Sequence, residues 1–136
     1  VNKELLLAHA DFLENNVSDL CFDMSTFGRK YACQTVACSA GWAGLNPAFQ
    51  ARGLQTKWFA SRGREDANVN YYVGGKLYST AFEAMQLFFD LPSYQDAIWL
   101  FTNHKNYHTI KEVVAGLRRY VETGMLPGTD LPGGKR

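Results

Sequence analysis

Apolar residues recur at helical spacing near both ends of the chain. At the start, Leu5, Leu6, His9, Phe12 and Leu13 fall on one face of a helix that Asn2 is placed to cap and that Asn15-Asn16 ends. Toward the end, three segments open with Ser or Thr followed three residues later by an acid: Thr80 with Glu83, Ser93 with Asp96, and Thr109 with Glu112. This is the sequence sign of a capping box, in which the hydroxyl and the carboxylate satisfy each other's backbone amides. Each precedes an apolar run of helical period: Phe82, Met85 and Phe89; then Tyr94, Ala97, Ile98 and Phe101; then Ile110, Val113, Val114, Leu117 and Val121, with Gly124 as the stop.

The middle of the chain reads differently. In VNYYVGGKLYST, β-branched and aromatic residues flank Gly74-Gly75, a dipeptide suited to the positive φ values of a two-residue hairpin turn. Before it, CQTVACSAGWAG predicts a short helix over Val36–Ala43 with Thr35 as its cap, stopped by GLNP. Ala37, Ala40, Gly41 and Gly44 leave that helix little side chain on one side, which suits close approach of another backbone or a ring. A further short helix follows Pro47. LQTKWFASR shows no decisive period, GREDAN reads as a polar loop, and VSDLCFDMSTFGRKYA as a packed loop with one short turn. The expected fold is α+β: a mainly helical single domain with a small antiparallel β-hairpin, residues 1–124 forming the globular domain and 125–136 an extended Pro/Gly-rich tail.

Composition narrows the partners. At 136 residues and 46% hydrophobic, the chain can bury one core without cross-links. Lys and Arg number 14 against 13 Asp and Glu, so no strong field steers it onto nucleic acid, which is an unlikely partner. No apolar stretch approaches the roughly 18 residues of a membrane span, and none is expected to meet a membrane. Three cysteines, an odd number in a domain of this size, fit reduced thiols and a cytoplasmic location.

Three kinds of chemistry compete for the cysteines. As metal ligands, Cys33 and Cys38 with His104 and His108 give the N/S donor set of a structural zinc module, although Cys33 and Cys38 stand five apart where a knuckle holds them closer. As a nucleophile, Cys38 at a helix start would have its thiol pKa lowered by unpaired amides. A hydrolase or transferase would then use His104 or His108 as base and Gln34 as oxyanion donor, an arrangement that slightly resembles papain-like peptidases. The bland alternative is that the cysteines are small buried hydrophobes.

The order Cys33-x-Thr35-x-x-Cys38-x-Ala40-Gly41-Trp42-Ala43, then the hairpin, AFEAMQLFFDL, AIWLF and TIKEVVAGLRRYVETG, resembles small uncharacterised proteins of bacteriophages and bacteria that share a C-x-T-x-x-C-x-A-G-W/H-A motif. That resemblance implies a phage-type accessory protein in the bacterial cytoplasm, and it carries no catalytic residues with it. With 9 Phe, 7 Tyr and 3 Trp the chain is rich in the rings that anchor protein interfaces. The favoured reading is therefore binding of a host or defence protein, without catalysis or cofactor. Tyr72 and Tyr78 of the hairpin are the candidate anchors, with Lys76, Arg62 and Arg64 as their basic rim.

Overall fold

The computed structural model describes residues 1–31 and 34–128. The architecture is α+β, but the β part is a five-stranded antiparallel sheet, which corrects the expectation of a mainly helical domain with one small hairpin. Strands β1 (Arg29–Tyr31), β2 (Gln34–Val36), β3 (Leu54–Ser61) and β4 (Arg64–Val73) run in the order β2-β1-β4-β3, and β5 (Lys76–Thr80) also pairs with β4. Strand β4 organises the sheet. On one side it pairs with β3 along its length, from Ser61↔Arg64 to Leu54↔Tyr71. On the other side it takes β1 at its start, through Arg29↔Asp66, and β5 at its end, through Val73↔Lys76.

The segment without a decisive period and the supposed polar loop are thus the two strands of a hairpin. Its turn, Arg62-Gly63, has φ of 51° and 78°, the doubly positive form matched to strand twist; an arginine in the first place hides it. The expected turn at Gly74-Gly75 has the same form. Leu54, Thr56, Ala67 and Val69 are buried on one face of the β3–β4 ribbon, whereas Lys57, Phe59, Arg64 and Glu65 are exposed. Charges in REDAN belong to a strand with one open face.

Helices cover the other face. Next to the sheet lie α2 (Ser39–Ala43), α3 (Pro47–Gln50) and α4 (Ala81–Phe88); α1 (Lys3–Asn16), α5 (Tyr94–Phe101) and α6 (Ile110–Thr123) pack with them. One core holds Leu6 and Leu13 of α1, Leu54 and Val69 of the sheet, Met85, Phe89, Leu100, Phe101, Val113 and Leu117. Leu126, beyond the last helix, is buried in the same core. Asp96 is buried too, accepting hydrogen bonds from Ser93 Oγ and Tyr120 Oη at 2.8 Å each, so that one carboxylate ties α5 to α6.

The caps fall out unevenly. Asn2 caps α1 and Ser93 caps α5, and Thr109 with Glu112 forms a complete capping box on α6. Thr80 makes no side-chain cap, because α4 follows β5 directly and Ala81 takes the turn with φ of 55°. Left-handed backbone costs an alanine roughly 1 kcal/mol that glycine avoids. Ala81→Gly should accordingly raise stability by about 0.5–1 kcal/mol, read as a higher urea midpoint; a lower midpoint would show the local strain to be absent.

Candidate functional site

Thr35 lies in β2, so it does not cap the helix of the CSAGWA segment; α2 starts three residues later than its spacing predicts, and Cys38 itself is the N-cap. The strand wins because Thr35 pairs with Lys30 in the ladder. Cys38 Sγ accepts from the Gly41 amide at 3.5 Å, and the residue is 2% exposed. Burial pushes its thiol pKa up to about 11, outweighing the Gly41 and Ala40 amides that draw it down. At neutral pH the group is a thiol, not a thiolate. It borders a cleft of ≈ 80 Å³ whose other walls, Met24, Ser25, Thr26, Phe27, Phe82 and Phe101, bring neither imidazole nor carboxylate.

The histidines are engaged elsewhere. His104 Nε2 donates to the Trp99 carbonyl at 2.9 Å and its ring stacks on Tyr107 at 4.7 Å. His108 is exposed on the α5–α6 loop, with Nδ1 3.7 Å from Glu112 Oε1. His9, which the sequence places on an apolar face, lies fully buried among Phe49, Phe89 and Phe101 and shares a 2.8 Å hydrogen bond with Ser39 Oγ. Burial drives its pKa down to about 3, so it is a neutral packing residue. Among the described residues no three His, Cys, Asp or Glu side chains gather as a metal would need. Cys33 and the side chain of Gln34, which the zinc and peptidase readings require, lie outside what is described.

The candidate interface residues divide between the two ends of β4. Arg62 and Arg64 are at the β3–β4 turn, where Arg64 Nε sits 3.2 Å from Asp66 Oδ1. Lys76 is at the β4–β5 turn, nine residues further along β4, or about 30 Å at strand rise. The arginines therefore form no rim around the tyrosines. Tyr72 and Tyr78 also differ in setting. Tyr72 lies under Lys57 Nζ, 5.5 Å from the ring centroid, and takes a hydrogen bond from Asn70. Tyr78 stands at the irregularity where Tyr71↔Ser79 gives way to Tyr72↔Leu77, and its ring meets Tyr71 edge-on at 6.0 Å.

What the hairpin does assemble is an apolar tip. Val73, Leu77 and Tyr78 are 51%, 56% and 61% exposed, within six residues that include the Gly74-Gly75 turn. Val73 and Leu77 escape sequence reading because alternation assigns them to opposite faces of the hairpin, Val73 with Lys76 and Leu77 with Tyr72, without telling where either face stays uncovered. Phe59, half exposed on β3, escapes for the same reason. No helix among the described residues is long and apolar enough to cross a membrane. Comparison of the chain with family models, with curated proteins and with solved structures returns no match.

Proposed function

We propose that the protein is a binding module that engages another protein through the tip of the β4–β5 hairpin, with Val73, Leu77 and Tyr78 as the apolar contacts and Tyr72 and Lys76 at the margin. The observation that carries this reading is the exposure of those three apolar side chains beside the two-residue Gly74-Gly75 turn. A short turn between paired strands leaves few backbone torsions to be fixed on binding. The un-ionised, buried Cys38 supports binding over catalysis, since a nucleophile must be reached by substrate and by a base. The resemblance of the CQTVACSAGWA segment to phage and bacterial proteins favours a host or defence protein in the bacterial cytoplasm as the partner.

The test is capture from bacterial cells followed by reconstitution with the purified partner. Leu77→Asp and Tyr78→Ala, each confirmed folded by its circular dichroism, should weaken the complex about tenfold or more, the scale of an interface anchor. Cys38→Ser should bind as the parent does. Lost activity in the serine variant alone, with hairpin variants unaffected, would sink the reading and return Cys38 to the centre.

A further inference from the structure

The outer edge of β3 is only half covered. The Thr56 amide donates to the Gly44 carbonyl at 3.0 Å, across the side of β3 that faces away from β4. In an antiparallel strand, residues two apart aim their N–H and C=O groups the same way. Trp58 and Ala60 therefore present theirs to this outer side, where no described residue receives them. A bare edge of this kind is a template for another strand, and proteins usually blunt it with proline, charge or a bulge. Here Lys57 is the one charged residue on β3 (Leu54–Ser61), and the β3–β4 ladder runs without irregularity. Beside the bare amides stands Phe59, 50% exposed on the open face of the sheet.

We propose that a second copy of this chain pairs antiparallel with β3 about a two-fold axis through Phe59. The register is self-complementary. Trp58 of one copy exchanges both main-chain hydrogen bonds with Ala60 of the other, and the axis repeats the exchange. Phe59 then faces its own counterpart in a non-hydrogen-bonded pair, the site at which opposed side chains come closest, and the two rings cover each other. Large meets small where Trp58 opposes Ala60. Lys57 opposes Ser61, so no like charges meet. The occupied Thr56 amide stops the pairing from sliding toward Leu54. A second copy suits the edge because its two bare positions, Trp58 and Ala60, stand one on each side of Phe59, so that a single two-fold register satisfies them in both copies. The edge is short against the roughly 1,200–2,000 Å² of a stable interface, so the dimer dissociates on dilution. It leaves the β4–β5 hairpin clear and does not depend on the binding reading above.

Sedimentation equilibrium should show the mass rising from 15.3 kDa toward twice that with concentration. Ala60→Pro deletes an amide that the β4 ladder does not use and should hold the protein monomeric; Phe59→Lys, which sets two charges face to face, should do the same without any change in backbone. Phe59→Cys should form a disulfide-linked dimer on mild oxidation, since opposed Cα atoms about 4.5 Å apart allow that bond. Lys57→Cys should not, because the two-fold offsets it from its own copy by about 13 Å along the strand. A monomer mass at every concentration with no linkage at position 59 overturns the proposal. So does a monomer whose Trp58 and Ala60 amides exchange slowly with solvent at every dilution, which would place another segment of the same chain on the edge.

Discussion

Gly41→Ala lowers stability by about 3 kcal/mol, with a fall of about 10 °C in the melting temperature. A methyl group at this position would run into the Phe27 carbonyl group, coming within 2.8 Å of its carbon and 2.9 Å of Ala37 Cβ. Neither neighbour can yield cheaply. The Phe27 backbone is held by the adjoining bond from the Cys38 amide to the Thr26 carbonyl at 2.8 Å, and Gly41 is pinned on its other side by Thr56 Oγ1, which donates to its carbonyl at 2.7 Å. The roughly 1 kcal/mol by which alanine favours a helix over glycine is too small to offset this overlap. Thermal unfolding followed by circular dichroism decides the matter, and a variant that melts with the parent would mean that α2 does not lie against this loop.

The second large effect is on acid stability. His9 has its pKa depressed from 6.5 to about 3 by burial. Between those values the unfolded chain takes up a proton that the folded one refuses, so His9 contributes stability that is complete above pH 6.5 and is lost as pH falls toward 3. At about 1.4 kcal/mol per pKa unit, the loss between pH 7 and pH 4 is about 3 kcal/mol from this one ring. Denaturant titrations at several pH values should show that slope, and His9→Gln should flatten it. If the glutamine is poorly tolerated, the His9 ring resonances in the parent protein serve instead: they should stay at their neutral positions down to pH 4, and movement near pH 6 would refute the assignment.

Helices that carry their own stop signs were legible in the sequence. Asn2, Ser93 and Thr109 cap where their spacing places them, because a cap needs only the next three residues. The strands were less so. LQTKWFAS reads ambiguously because its two buried positions, Leu54 and Thr56, include a threonine, whose hydroxyl is satisfied inside by the Gly41 carbonyl. REDAN looks like a loop because Asp66 faces the open side, where Arg29 Nε at 3.5 Å and Arg64 Nε at 3.2 Å pair with it. Strand β1 is three residues long, and what joins it to the rest of the sheet is its pairing with Asp66 and Glu65, residues far away in sequence. Thr35 shows a competition within a short stretch: its cap-like spacing looks forward along the chain, while in the fold it pairs backward with Lys30. At the candidate site, the hairpin turn and its tyrosines could be read from GG and the flanking residues. The separation of Arg62 and Arg64 from Lys76 could not, since it rests on the length of β4, whose first residues, REDAN, have the composition of a polar loop.

The packing of α1 against α6 sets the order of events during synthesis. Arg118 on α6 reaches back to Asp11 at 2.8 Å and Glu14 at 3.1 Å on α1, and Val113, Val114 and Leu117 bury their side chains in the core shared with Leu5, Leu6 and Leu13. A ribosome adds about 5–20 residues each second, so α1 waits several seconds for α6, with the contacts of His9 to Ser39 and Phe49 available earlier. The β3–β4 and β4–β5 hairpins have no such delay, as each closes with neighbours in sequence. The strands of the sheet are thus all made, and able to pair, before α6, the helix that covers α1, is complete at Thr123.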